Sequence, residues 1–368
     1  MTTTHADIAD YALMHNPAPA SDADRARLLD NPGFGVLFTD HLARATWTAE
    51  SGWGERRVEP FAELTLHPGA TVLHYGQQVF EGLKAYRWAD GSVWLFRPEA
   101  NAERFAASAR RMALPELPAE DFLSSIAALL AVDHRWVPGD NETSLYLRPL
   151  LIGTEPTLAV RASRTVDYVL MASPVGAYFA GGVKPVSIWV AQGFHRAGPG
   201  GTGTAKSAGN YAASLLPQQQ AAENGCEQVL FLDAREERYI EELGGMNVFA
   251  VRRDGSVLTP RLTGTILPGV TRDSVIALLM DEGRTVEERD ITLDELREGI
   301  ESGEVAEVFA CGTAAVVTPL ARLKAPDFDV TIGDGGAGAV TMRLRAALTD
   351  IQYGRAEDTH GWMRSVEI

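Results

Sequence analysis

The chain has 368 residues, of which 45% are hydrophobic and 22% charged, a composition close to that of ordinary globular proteins. At about 150 residues per domain, this length predicts two domains. Acidic residues outnumber basic residues by 49 to 33, giving a formal net charge of -16. This charge repels phosphate backbones and anionic lipids, so it argues against nucleic acid and membrane surfaces as partners.

Cysteine content and the N-terminal sequence bear on the compartment. The two cysteines, Cys226 and Cys311, have neither CxxC nor metal-ligand spacing, so we expect a reducing environment and no metal site. The first twenty residues lack the basic and apolar regions of a signal peptide. No apolar run approaches the roughly 18 residues of a membrane span. Together these features predict a soluble, cytoplasmic protein.

The first half of the chain combines strands and helices. A polar, proline-containing stretch to about Ala20 is typical of a loosely ordered arm. Asp90-Gly91, between aromatic and β-branched residues, predicts a hairpin over 83–96. Further predicted elements are a helix opening at Pro98 and running over 101–112, a helix over 119–132 and a strand over 143–153.

The second half begins after Gly181-Gly182, where the character of the sequence changes. The predicted elements are a glycine-rich loop at 198–203, helices at 211–223, 271–280, 293–300 and 339–348, a strand at 228–232 and a hairpin around Asp254-Gly255. This mixture of helices and strands in both halves predicts an α+β fold. We expect a smaller domain over 1–178, a linker over 179–191 and a larger domain over 192–368.

Lysine is rare in this chain, with four lysines among 33 basic residues. One of them, Lys206, follows glycines in GGTGTAKS at 200–207, which nearly fits the nucleotide-binding pattern GxxxxGK[ST]. Ala205 stands where that pattern requires glycine, which argues against a nucleotide triphosphatase. A lysine can instead attack an aldehyde when its amine is uncharged, partly buried and near polar groups. Pyridoxal phosphate is the commonest such aldehyde.

An ordered series of motifs resembles the branched-chain amino acid aminotransferases, which are fold type IV pyridoxal phosphate enzymes of the class IV aminotransferase family. The motifs are LHYGQQVFEGLK at 73–84, FRPEANAER at 96–104, LYLRPLLIG at 145–153, SPVGAY at 173–178, KSAGNY at 206–211, ELGGMN at 242–247, LPGVT at 267–271 and GTA at 312–314. The resemblance covers almost the entire chain. It implies two α/β domains with pyridoxal 5'-phosphate at their interface.

The resemblance also implies the cofactor-binding residues. Lys206 would form the Schiff base and move the proton between Cα and C4′ as general base and acid. The cofactor-binding set is Arg104, Lys206, Tyr211, Glu242, Leu267, Val270, Thr271 and Thr313. Arg104 would clamp the phosphate bidentately, and the amides at the start of a helix favour an anion. Glu242 would pair with the pyridinium, whereas Glu237 and Glu241 are interpreted as exposed carboxylates.

Substrate recognition is assigned in the same way. Tyr146 and Arg148 stand two apart on a predicted strand, so they face the same side. The substrate-binding set implied by the resemblance is Tyr75, Phe80, Tyr146, Arg148, Tyr178, Thr313 and Ala314. Thr313 and Ala314 would receive the α-carboxylate. Tyr75, Phe80 and Tyr178, each taken alone, are more typical of ordinary aromatic core, and the series of motifs reverses that interpretation.

The implied reaction is reversible transamination of L-leucine, L-isoleucine and L-valine with 2-oxoglutarate by a ping-pong route, carried out by a homodimer. D-amino acid aminotransferase and aminodeoxychorismate lyase share the fold, but they are shorter and lack the Tyr146-x-Arg148 wall. A phosphate-ligand binding protein would need only the glycine-rich loop. Some family members carry a CxxC pair after the GTA segment; Ala315 and Thr318 stand in this region here, so a thiol switch is not expected.

Overall fold

The computed structural model describes residues 11–139, 142–176 and 183–368. The strands are β1 Ala12–Leu13, β2 His41–Thr48, β3 Gly52–Pro60, β4 Gln78–Phe80, β5 Leu83–Arg87, β6 Val93–Phe96, β7 Ser144–Gly153, β8 Thr165–Val175, β9 Val186–Val190, β10 Gln228–Leu232, β11 Ile240–Leu243, β12 Met246–Arg252, β13 Val257–Pro260, β14 Val286–Arg289, β15 Val305–Gly312, β16 Val316–Lys324, β17 Asp329–Thr331 and β18 Met363–Val366. The helices are α1 Asp22–Leu29, α2 Thr71–Tyr75, α3 Pro98–Arg111, α4 Ala119–Asp133, α5 Ala208–Ala212, α6 Leu215–Glu223, α7 Val270–Asp281, α8 Leu293–Ser302 and α9 Ala339–Gln352. This mixture confirms the predicted α+β class.

The chain divides into two compact units. The first takes in β1 to β8 with the segments Ala205–Ala208 and Ile351–Ile368, and the second takes in the chain from β9 to Thr204 and Gly209–Asp350. Part of the predicted linker, 179–182, lies outside the described residues, and Val186–Val190 near its end forms β9. The domain boundaries given above stay a prediction.

The first unit is built on a sheet in the order β1-β3-β2-β8-β7-β5-β6-β18, with β4 paired to β7. All of its pairings are antiparallel except that of β1 with β3. Helices α3 and α4 cover the sheet, and the ring of Phe105 lies 5.5 Å from that of Phe122 and 5.9 Å from that of Tyr168. Phe122, Ile126 and Leu129 are fully buried, which confirms the helical spacing that predicted α4.

The second unit contains a closed ring of strands. Its sheet runs β11-β10-β9-β16-β15-β12-β13-β14, and β11 also pairs with β12. That additional pairing closes β9, β10, β11, β12, β15 and β16 into a barrel. Closure removes the exposed edges of these strands and covers β11 on both sides. All four residues of β11 are buried, so both faces of this strand are covered as well.

Several predicted elements are confirmed with small changes in their bounds, including β10, the β12–β13 hairpin and helices α7, α8 and α9. The single helix predicted over 211–223 is wrong, because α5 and α6 are separate. Pro217 lacks an amide hydrogen and its ring clashes with a carbonyl four residues earlier, so the chain cannot continue as one helix through Ala213 and Ser214.

The prediction of a loosely ordered arm is wrong for residues 11–13, the first that the structure describes. The Tyr11 side chain is 6% exposed, and Ala12 and Leu13 pair with Arg57 and Val58 of β3. Burial of this aromatic ring against the first core offsets the entropy cost of ordering the strand. Among the described residues, no helix has the length and apolar character needed to cross a bilayer.

Candidate active site

Lys206 lies in the first unit, where its backbone is fixed from two sides. Its amide donates to the Oγ of Ser108 on α3 at 3.0 Å, and its carbonyl accepts from the amide of Phe80 at 2.9 Å. Ser207 forms a bridge with Val79 of β4. The half-buried side chain then places Nζ 5.0 Å from the centre of the Phe80 ring. The lysine amine is therefore held against an aromatic face.

Arg104 and Glu81 form a buried ion pair beside this lysine. The Nε and Nη2 of Arg104 donate to the two oxygens of Glu81 at 2.6 and 2.9 Å. Glu81 also accepts from Asn101 at 2.8 Å and from the amide of Gly82 at 2.9 Å. Burial by itself raises the pKa of Glu81, but Arg104, followed by the charge of Lys206, holds that pKa below its usual value. This edge of the guanidinium thus binds a carboxylate of the protein itself.

Arg148 packs between two aromatic rings, as its position on β7 predicts. Its guanidinium carbon lies 4.8 Å from the ring centre of Phe80 and 5.1 Å from that of Tyr146, and its Nη2 donates to the Tyr146 hydroxyl at 3.0 Å. A Cβ at Gly82 would lie 1.9 Å from that hydroxyl oxygen, so glycine is needed there. The expectation that Tyr146 and Arg148 share one face is confirmed.

The other two aromatic residues of the predicted substrate wall differ from this group. Tyr75 ends α2 and is 40% exposed; its hydroxyl donates to the carbonyl of Leu158, and its ring lies 6.1 Å from that of His74. Tyr178 lies outside the described residues. The structure therefore brings Phe80, Tyr146 and Arg148 together.

Glu242 occupies the barrel of the second unit. It is paired with Asn247 of β12, which is paired with Cys311 of β15, so these three residues form one row across the strands. One carboxylate oxygen of Glu242 accepts from the amide of Leu267, and the other lies 2.9 Å from the Nε of Arg196. The Glu242 residue is 1% exposed. The barrel thus presents a buried, oriented carboxylate.

Arg196 was missed by the sequence reasoning. Its side chain is 2% exposed, and its Nη1 donates to the carbonyls of Thr265 at 2.8 Å and Gly203 at 3.3 Å. A buried carboxylate needs a positively charged or hydrogen-bonding partner. That need is the signal in the sequence for a residue such as Arg196. The sequence does not indicate which of its 29 arginines is that partner.

Glu241, predicted to be exposed, is instead 5% exposed. The prediction is wrong because β11 is a strand of the barrel wall and both of its faces are covered. Burial raises the pKa of Glu241, although Thr265 donates a hydrogen bond to it and opposes the rise. Glu237 is exposed, as predicted, and its carboxylate lies 3.2 Å from His195.

The turn before α7 is shaped to receive an anion. A Cβ at Gly269 would lie 2.1 Å from the Oδ1 of Asn247, so the close approach of the two segments requires glycine. Asn247 also donates to the carbonyl of Leu267 at 3.2 Å. The turn leads into Val270 and Thr271 at the N-terminus of the twelve-residue α7, which has no side-chain cap. Amides at such a terminus favour phosphate.

Tyr211 and the Thr313-Ala314 turn complete the predicted residues of the second unit. Tyr211 lies on α5, and its ring packs so closely on Gly245 that a Cβ there would lie 3.2 Å from the Cε1 of the tyrosine. Thr313 and Ala314 are half-buried and follow Gly312 in the turn between β15 and β16. Thr313 comes two residues after Cys311, which lies in the same row across the strands as Glu242.

These side chains fit pyridoxal phosphate by their chemistry. The first unit offers an amine and a guanidinium; the second offers a buried carboxylate, a phenol and a glycine-shaped helix terminus. The nucleotide-binding alternative is wrong, because no strand precedes the 200–207 loop directly and only the five-residue α5 follows Lys206. No group of three or more potential metal ligands occurs in the part of the chain that the structure describes.

Comparisons with known proteins agree with this chemistry. The family model of amino-transferase class IV matches residues 78–323. A branched-chain-amino-acid aminotransferase of Mycolicibacterium smegmatis is 55% identical over 358 residues, covering 96% of this chain and 97% of that protein. The crystal structure of the Escherichia coli branched-chain amino acid aminotransferase gives a TM-score of 0.73 at 29% identity, covering 88% of this chain and 100% of that one. The holo-form of the Thermobaculum terrenum branched-chain amino acid aminotransferase, in its PLP form, gives 0.72 at 26% identity, with coverage of 88% and 98%.

Burial of Cys311 predicts an inert thiol. Burial raises the pKa of this thiol to about 12, so at pH 8 only about one molecule in ten thousand carries the reactive thiolate. We expect Cys311 to resist iodoacetamide in the folded protein and to react on unfolding, as followed by mass spectrometry of the Cys311 peptide. Mild peroxide should leave activity unchanged. Inactivation that a dithiol reverses would contradict this expectation.

Proposed function

Since the chain belongs to the class IV aminotransferases, and among them to the branched-chain-amino-acid aminotransferases, we propose that it transfers the amino group of L-leucine, L-isoleucine or L-valine to 2-oxoglutarate. The observation that carries the proposal is the ring of Phe80. It lies 5.0 Å from the amine of Lys206 and 4.8 Å from the guanidinium of Arg148. One aromatic side chain thus links a reactive amine to a group able to recognise a carboxylate.

The proposed cofactor is pyridoxal 5'-phosphate, which supplies an aldehyde that receives amino groups and a ring that accepts electrons from the substrate Cα. Lys206 would hold the aldehyde carbon through Nζ, and its amine, when free, would carry a proton between the substrate Cα and C4′. The two backbone hydrogen bonds of Lys206 fix the main chain from which this side chain extends.

Four further residues orient the cofactor in this proposal. Glu242 would accept a hydrogen bond from the pyridine nitrogen, and Tyr211 would donate one to the phenolate oxygen. Arg104 would contribute charge to the phosphate, which the 267–271 turn and the Thr313 hydroxyl would also bind. Because Glu81 binds the Nε–Nη2 edge of Arg104, the phosphate would have to contact another part of the guanidinium.

Substrate selection follows from Phe80, Tyr146 and Arg148. Burying a leucine side chain against the rings gains roughly 1.5 to 3 kcal/mol. A γ-carboxylate buried there without a partner would cost several kcal/mol. Arg148, half-buried beside the same rings, pairs with that carboxylate when glutamate or 2-oxoglutarate binds. Thr313 and Ala314 receive the α-carboxylate common to all substrates. One site therefore serves both halves of a ping-pong reaction.

Lys206 is tested by chemical trapping. Borohydride reduction of the cofactor-loaded protein should attach the cofactor to Lys206 alone, as read by peptide mass spectrometry. Lys206→Ala should retain some cofactor, since the phosphate-binding groups remain, and should lose turnover. Trapping on a peptide that contains Lys84, Lys184 or Lys324 would contradict the assignment.

Arg148→Met tests recognition of the two substrates. Removal of the guanidinium should weaken glutamate and 2-oxoglutarate at least tenfold, about 1.4 kcal/mol, because their γ-carboxylate loses its partner. The leucine half-reaction should stay within a factor of a few, as measured by single-turnover kinetics of each half-reaction. Arg161→Met, at an exposed arginine paired with Glu155, is the matched control. Equal losses for leucine and glutamate would leave Arg148 a structural role only.

Assembly and location complete the proposal. We propose a cytoplasmic homodimer, in which the segment around Tyr75 contributes to the neighbouring subunit, while Phe80 stays with Lys206 and Arg148 of its own chain. The exposure of Leu73 and Tyr75 on α2, at 58% and 40%, supports an interface there, and both cysteines are free buried thiols, which suits a reducing compartment. Sedimentation equilibrium should give twice the chain mass. A fully active monomer would refute the dimer.

A further inference from the structure

Two neighbouring glutamates of β11 are both buried but differ in their partners. Glu241 accepts from the hydroxyl of Thr265, and its pKa is raised by burial. Glu242 lies 2.9 Å from the guanidinium Nε of Arg196, and both side chains are 2% exposed. The same strand thus holds one carboxyl without an arginine contact and one with such a contact. Burial raises the pKa of Glu241 against the opposing hydrogen bond from Thr265, so burial at this depth favours the neutral acid.

Arg196 is itself fixed in position. Its Nη1 donates to the carbonyls of Thr265 and Gly203, at 2.8 and 3.3 Å. A Cβ at Gly203 would lie 2.4 Å from the Thr265 oxygen, so glycine is required for these two carbonyls to converge on one guanidinium nitrogen. The arginine therefore cannot swing away from Glu242 without abandoning two carbonyls in the protein interior.

Glu242 is held through both of its oxygens. Leu267 donates its amide to Oε1, and Arg196 faces Oε2. This pair of contacts sets the plane of the carboxylate. Other charged groups of the region have partners of their own: His195 faces Glu237, and Asp233 accepts from the backbone amides of Arg235, Glu236, Arg238 and Tyr239. Among the described residues, Arg196 is a cation in direct contact with Glu242.

We propose that Arg196 is a positioning residue that keeps Glu242 an oriented carboxylate and thereby keeps the cofactor's ring nitrogen protonated. The inference rests on the function proposed above. One proton is shared between the nitrogen and the Oε of Glu242. The guanidinium stabilises the negative oxygen, so the proton stays on nitrogen. Without that charge, burial favours transfer of the proton to Glu242, which leaves a neutral acid and a neutral ring less able to accept electrons.

The ring nitrogen can be observed directly by loading the protein with ¹⁵N-labelled pyridoxal 5'-phosphate and recording its ¹⁵N NMR shift. The wild-type signal should be that of a protonated nitrogen. In Arg196→Met it should move by more than half the interval that separates wild type from Glu242→Gln. Arg196→Lys, which keeps the charge, should stay near the wild-type signal. The leucine half-reaction should slow at least tenfold in Arg196→Met.

Three controls separate this role from general damage. Arg345→Met removes another buried guanidinium that donates to two carbonyls, those of Ala315 and Val317, and should lower thermal stability without moving the ¹⁵N signal. In a Glu242→Gln background, Arg196→Met should give no further shift. Arg196→Gln, which is neutral but can donate hydrogen bonds, replaces the methionine variant if the latter does not fold.

The outcomes distinguish this inference from the proposed function. Failure of the wild-type protein to bind the labelled cofactor would overturn the proposed function itself. An unchanged signal in a folded, cofactor-loaded Arg196→Met or Arg196→Gln would overturn the role of Arg196 while leaving the transaminase assignment intact. Collapse of the fold in both neutral variants would assign Arg196 a purely structural role and would also overturn the proposal.

Discussion

The first unit depends on the buried ion pair between Glu81 and Arg104. Glu81 is fully buried, and removal of either partner from such a pair costs about 3–5 kcal/mol, because a charge is left uncompensated. The pair ties the β4–β5 connection to α3. Ser108, one helical turn beyond Arg104, then holds the backbone of Lys206. The orientation of α3 on the sheet therefore sets the positions of both the guanidinium and the amine.

In the second unit, closure of the barrel positions the carboxylate of Glu242. Pairing of β11 with β12 encloses the strand that carries Glu242 and brings it into register with Asn247 and Cys311. Removal from water raises the free-energy cost of the charged form of this carboxylate. The same enclosure makes its contact with Arg196 strong, because few water molecules compete with the guanidinium. Burial thus creates both the need for the arginine and its effectiveness.

Local pattern predicted much of the fold. The apolar spacing of α4, the Asp-Gly hairpins and the proline-glycine turn before α7 are encoded within a few residues, and the structure has all of them. The candidate site residues came from ordered motifs, whose glycines at 82 and 269 prove to be positions where a Cβ would clash. These features need no knowledge of distant parts of the chain.

What the sequence did not predict depends on distant neighbours. The burial of Glu241 depends on the segments that cover both faces of β11. The ion pair of Glu242 on β11 with Arg196, which lies in a loop, joins residues that are 46 positions apart. The ordering of Tyr11 depends on a contact with Asp121, 110 residues away. Hydrophobic periodicity carries no information about such pairings, since it describes only which face of an element is covered.

The pairing of β18 with β6 has a consequence for synthesis of the chain. Trp94 of β6 lies opposite Ser365, about 270 residues downstream, so the outer edge of the first sheet is completed by a segment that is synthesised long after β6. Until then β6 presents unpaired backbone groups, a template on which another nascent chain could add a strand. Protection of that edge during translation falls to chaperones until β18 has been synthesised and has paired with β6.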